Sequence, residues 1–204
     1  MILWDVDTQI DFVHADGKLA VPGAEAVVPA MARIVEAARR ADVLHVASCD
    51  DHELTDAELS DEPDWLTTYP PHCLRGTRGF RKIAETEQVE PLPLGLELTD
   101  ALDGRIRDAR EILLLKKHFD VFTNPYAERL LELRRPDEVV VFGVATDVCN
   151  DAAILGLLDR GHRVRFVEDA SAGLDDARVV ACTARWRERG VVFTTADEVV
   201  ATLR

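Results

Sequence analysis

The chain has 204 residues, 47% hydrophobic and 30% charged, with 24 Lys/Arg against 38 Asp/Glu for a formal charge of -14. That length predicts a single domain over 1–204 built on one core, and the acidity argues against nucleic acid and anionic membranes as partners. Met1-Ile-Leu-Trp-Asp-Val-Asp7 lacks the basic leader of a signal peptide, and no apolar run is long enough for a membrane span, so a cytoplasmic location is expected. Cys49, Cys73, Cys149 and Cys182 form no closely spaced framework, which predicts reduced thiols.

In chain order, Ile2–Val6 predicts a strand, Pro22–Ala41 a helix ending in Arg39-Arg40, and Val43–Ala47 a second strand. Residues 50–100 contain Pro63, Pro70, Pro71, Pro91 and Pro93 and many acids. A patternless stretch of that length predicts a functional, pocket-forming loop region, with at most a short helix near Gly79–Glu85. Strands are then predicted at Glu111–Leu115, Val139–Phe142, Arg163–Val167 and Val191–Thr194. Helices are predicted at Pro125–Arg134, Asp147–Arg160, Asp175–Arg189 and Thr195–Leu203. This alternation predicts an α/β fold of three layers, α/β/α, with a six-stranded parallel sheet.

Ligands of such sheets bind beyond the carboxyl ends of the strands. Asp11, Lys116 and Cys149 follow three of those ends. Cys149 lies in the first turn of a helix, after a bend that Gly143 permits. Helix N–H groups there favour a thiolate and can hold an oxyanion. The alternative is a small buried hydrophobe. Asp11 is read as the proton acceptor, with a solvated loop aspartate as its alternative. An amine at Lys116 requires a partner, for which Asp11 is the candidate, while Lys117 reads as solvated. Cys182 reads as core.

Asp50-Asp-His52 and Tyr69-Pro-Pro-His-Cys73 form a second constellation. A carboxylate and two imidazoles, Asp50, His52 and His72, suit one divalent ion: zinc, iron(II) or manganese. Two unrelated loop histidines would give the same spacing. Asp51 and Cys73 are reserve ligands, and His118 is read as a wall residue.

Together these residues resemble the nicotinamidase branch of the isochorismatase-like cysteine hydrolases. The likeness runs through Val6-Asp-Thr-Gln-Ile-Asp-Phe12, Ala47-Ser-Cys-Asp-Asp-His52, Pro70-Pro-His-Cys73, Lys116-Lys-His-Phe-Asp-Val-Phe122 and Gly143-Val-Ala-Thr-Asp-Val-Cys149. It implies an Asp–Lys–Cys triad, placed at Asp11, Lys116 and Cys149. It further implies a cis peptide between Val144 and Ala145, and an oxyanion hole from the N–H groups of Ala145 and Cys149. The metal site maps to Asp50, His52 and His72, with zinc the leading ion. The implied activity is hydrolysis of nicotinamide and pyrazinamide to the acid and ammonia, in a homodimer or higher oligomer. Two departures, Asp51 between the metal residues and no histidine within Glu53–Asp64, keep other small neutral amides, ureides and carbamoyl compounds as alternatives.

Overall fold

The computed structural model describes residues 1–203. Seven strands form one parallel sheet: β1 (Ile2–Val6), β2 (Leu44–Asp50), β3 (Leu92–Leu94), β4 (Glu111–Lys116), β5 (Glu138–Val144), β6 (Arg163–Ala172) and β7 (Val192–Thr194). Their spatial order is β3-β4-β2-β1-β5-β6-β7. The six-strand expectation is therefore wrong by β3. This strand hid in the proline-rich region because it has only three residues and Pro93 at its centre. Proline lacks the N–H that an interior strand must donate, and β3 sits on the sheet edge, where that loss is tolerated.

The helices are α1 (Ile10–Val13), α2 (Ala24–Arg40), α3 (Asp103–Asp108), α4 (Pro125–Arg134), α5 (Asp151–Asp159), α6 (Asp176–Glu188) and α7 (Ala196–Thr202). The central strands β1 and β2 are buried along their whole length, as strands covered on both faces must be. Crossovers from β1 and from β5 run in opposite directions across the sheet, which puts α2 and α5 on opposite faces. The strand order therefore reverses between β1 and β5, and the crevice for a ligand lies there. α2 turns Ala30, Met31, Ile34, Val35 and Ala38 into the core. Among the described residues no helix is long and apolar enough to cross a membrane.

No helix forms near Gly79–Glu85. Lys82 instead bridges Gln9, and Ile83 N–H donates to the Thr8 carbonyl. A buried polar knot holds this segment down. Lys82 Nζ reaches Asp5 Oδ2 at 2.7 Å and Thr8 Oγ1 at 2.6 Å, and Thr8 Oγ1 donates to Asp5 Oδ1 at 2.8 Å. Burial would raise the Asp5 pKa, but Lys82 and His45 outweigh it and hold it below its ordinary 3.8. Stability from Asp5 is therefore present above that ordinary value and lost as pH falls through the lower folded one. Asp5→Ala, which strands a buried ammonium, is expected to cost about 3–5 kcal/mol in chemical denaturation at neutral pH. A cost under about 1 kcal/mol, the range of an exposed ion pair, would contradict this account of the knot.

Candidate active site

Four neighbouring strands, β4, β2, β1 and β5, each deliver a reactive group at the crevice. β1 is followed by Asp7, β2 ends at Asp50, β4 ends at Lys116, and a π-helical turn over Thr146–Asn150 after β5 carries Cys149. Gly143 makes the approach of β5 to β1 possible. Its φ is +122°, and a Cβ there would lie 2.1 Å from the Val6 carbonyl oxygen. The peptide between Val144 and Ala145 is cis.

Lys116 Nζ is fully buried, 2.8 Å from Asp7 Oδ2, bonded to Asp50 Oδ1, and 3.9 Å from Cys149 Sγ. Asp11, read from the sequence as the partner of this lysine, is elsewhere. The short helix α1 turns it away, and its carboxylate accepts the N–H of Cys73 at 2.7 Å and of Lys18 at 3.0 Å. A Cβ on Gly79 would overlap that carboxyl group, so the loops close tightly around it. Asp7 occupies the position expected of Asp11. Strict use of strand ends would have selected it, since Asp7 directly follows β1 whereas Asp11 lies a helical turn later.

The electrostatics follow from burial and the two carboxylates. Burial alone would discharge Lys116, but Asp50 and Asp7 raise its pKa well above the usual lysine value, so it stays an ammonium. Burial, with Asp50 adding to it and Lys116 opposing, raises the Asp7 pKa and makes it a stronger base. Burial also raises the Cys149 thiol well above its ordinary value; Lys116 opposes this, while Asp7 and Asp50 reinforce it. The resting thiol of Cys149 is therefore neutral. Ser48 Oγ donates to Asp7 Oδ1 at 2.7 Å, while Oδ2 faces the Lys116 ammonium at 2.8 Å.

Asp50 faces two ways. Its Oδ1 meets Lys116, while its Oδ2 lies 3.4 Å from His72 Nε2 and 3.9 Å from His52 Nε2. The side-chain amide of Gln9 fixes its backbone, accepting from Asp50 N–H at 2.7 Å and donating to the Asp50 carbonyl at 2.8 Å. Asp50, His52, Glu58 and His72 form a cluster of four buried donors, each pair of donor atoms within 4.8 Å, that can chelate a divalent metal. The donor set fits such an ion. His52 Nε2 is buried without a hydrogen-bond partner, and each imidazole is oriented through its other nitrogen. His72 Nδ1 meets the Pro70 carbonyl at 2.7 Å, and His52 Nδ1 meets Asp56 Oδ2 at 3.2 Å.

Glu58 was not singled out from the sequence. It is one of several acids in a segment rich in them, and only burial distinguishes it. Asp51 and Cys73 are not in the cluster: Arg75 forks onto Asp51, and Cys73 packs under Asp11. Lys117 is not simply solvated, since its Nζ pairs with Asp56 at 3.1 Å. His118 stacks on Phe119 at the rim. All four cysteines are free and buried, Cys182 within the core.

Phe12, Leu19, Tyr69, Phe119, Val148 and Leu174 line the slot before Cys149, and no arginine does. A larger cavity, about 950 Å³, lies elsewhere, at the amino ends of the strands near Asp42, His45 and Arg110.

The family model for the isochorismatase domain matches residues 2–198. A nicotinamidase/pyrazinamidase of Mycobacterium tuberculosis is 30% identical over 189 residues, covering 91% of this chain and 94% of that one. An N-carbamoylsarcosine amidase from Thermoplasma acidophilum superposes with a TM-score of 0.73 at 25% identity, over 96% of each chain. A pyrazinamidase of Pyrococcus horikoshii in complex with zinc superposes with a TM-score of 0.75 at 20% identity, over 95% of this chain and 98% of that one, a likeness of fold.

Asp56 orients His52, so Asp56→Asn is expected to weaken divalent-metal affinity about 10–100-fold in a chelator-competition titration. Affinity equal to wild type would show that Asp56 does not orient a ligand.

Proposed function

Because the chain belongs to the isochorismatase family, we propose that it is a nicotinamidase, hydrolysing nicotinamide and pyrazinamide through a cysteine thioester. The observation that carries this reading is the shared carboxylate of Asp50, which joins the ammonium beside the thiol to the four-donor cluster. The 30% identity to a nicotinamidase/pyrazinamidase supports it.

The cluster Asp50, His52, Glu58 and His72 would hold one divalent ion, zinc being the leading candidate. When bound, that ion supplies a Lewis acid that can anchor a ring nitrogen. The chain's own residues supply the rest. Asp7 takes the Cys149 proton as sulfur attacks the amide carbonyl. The N–H groups of Ala145 and Cys149 receive the oxyanion. Protonated Asp7 then gives its proton to the leaving nitrogen, and ammonia departs from the thioester. A water loses its proton to Asp7, attacks the thioester, and releases the acid, with the proton returning to sulfur. Lys116 holds Asp7 and Asp50 in place and stabilises the developing thiolate. Apart from Asp50, Glu58 and His72 of the cluster, the lining is apolar, which suits a neutral aromatic amide. It also disfavours a carbamoyl substrate bearing a carboxylate, for which the slot offers no arginine.

Ammonia release is expected from nicotinamide and pyrazinamide and much less from benzamide, which lacks the ring nitrogen. Cys149→Ala is expected to abolish turnover with the fold intact by circular dichroism, and His52→Ala/His72→Ala to lose both bound metal and nicotinamide turnover. Preference for benzamide or a ureide over nicotinamide would overturn the substrate assignment, and full activity in Cys149→Ala would overturn the thioester.

A further inference from the structure

The cavity in front of Cys149 is about 10 Å³, room for about one water. Pockets for small ligands are commonly about 300–1,000 Å³. A substrate must therefore displace part of the wall. The nucleophile turn, the Leu174 segment and the loop that precedes the wall residue Tyr69 meet at Arg178 on α6. Its Nη2 pairs at 2.9 Å with Oδ2 of Asp147, a fully buried carboxylate in the turn that carries Cys149. Asp147 also accepts the N–H of Leu174 at 2.7 Å and of Asp175 at 3.2 Å, and Leu174 lines the slot. The other arm, Nη1, donates to the Trp65 carbonyl at 2.8 Å.

Trp65 belongs to a loop, residues 61–68, that is knotted on itself. Asp64 accepts the N–H groups of Leu66, Thr67 and Thr68 and the hydroxyls of both threonines. The loop springs from a stem where Leu59 bridges Tyr69 and Ser60 N–H donates to the Tyr69 carbonyl. Trp65 and Leu66 are 47% and 67% exposed. The Trp65 ring meets Tyr69 edge-on at 6.3 Å, and Tyr69 lines the slot. Among the described residues, the Arg178–Trp65 contact is the one hydrogen bond that ties this loop to α6.

We propose that residues 61–68 gate the slot before Cys149 through the Trp65 ring against Tyr69, and that Arg178 is the latch, a positioning residue that holds this loop closed. Opening breaks one N–H···O bond to a backbone carbonyl while the Asp147 ion pair stays, so the nucleophile turn keeps its shape as the loop swings on its stem and the Trp65 ring leaves Tyr69, freeing that side chain to turn out of the slot. The proposal rests on the reading that substrate enters the slot before Cys149. Its test needs no substrate, so a wrong amide assignment leaves it intact.

Arg178→Lys and Arg178→Ala are compared with wild type in two readouts. The first is the rate of iodoacetamide labelling of Cys149, followed by peptide mass spectrometry with buried Cys49 as the control for global loosening. The second is acrylamide quenching of tryptophan fluorescence, which reports on Trp65 because Trp4 and Trp186 are 0% exposed. Lysine can keep the Asp147 pair but cannot fork to the carbonyl as well. Both variants are expected to label Cys149 about tenfold faster, the effect of losing one charge-assisted hydrogen bond. Cys49 labelling is expected to stay unchanged and quenching to increase. Wild-type labelling or wild-type quenching in Arg178→Lys overturns the latch, as does Cys49 labelling that rises in step with Cys149.

Discussion

The site depends on one buried ammonium. Lys116 ends β4 in the interior, where an unpaired charge would be prohibitive, and Asp7 and Asp50 make it tolerable. The reverse also holds: neither carboxylate could stay ionised at that depth without the lysine. This mutual dependence fixes the ends of β1, β2 and β4 relative to one another. It sets a raised-pKa carboxylate beside the Cys149 thiol on one side. On the other, it aims the second oxygen of Asp50 at the two imidazoles.

The loops serve this arrangement. Gln9 holds both backbone groups of Asp50, so the first loop of the chain positions the second strand's carboxylate. Asp11 gathers the N–H groups of Lys18 and Cys73 and thereby anchors the segment that presents His72. Two aspartates four residues apart thus do different work, one beside the thiol and one within the scaffold of the cluster.

Six of the seven strands, and the candidates Lys116, Cys149, Asp50, His52 and His72 that the fold brings together, were legible because they obey local rules: apolar runs, strand ends, a glycine bend, a carboxylate spaced from imidazoles. What escaped depends on contacts remote in sequence. The thiol's carboxylate is the exception, a local signal passed over: Asp7 directly follows β1, whereas α1 carries Asp11 away. Glu58 is distinguished from its acidic neighbours only by the folding of the loop over His52 and Phe119. β3 exists because β4 offers it an edge, although its own sequence, with a central proline, argues against a strand.

The central claim is that Asp7, and not Asp11, exchanges the proton with Cys149. Measuring kcat for Asp7→Asn and Asp11→Asn at saturating metal tests it most directly. The account predicts a loss of about 10²–10⁴-fold for Asp7→Asn, the size of general acid–base catalysis, and a far smaller one for Asp11→Asn. A near wild-type kcat in Asp7→Asn alongside a collapse in Asp11→Asn would contradict it.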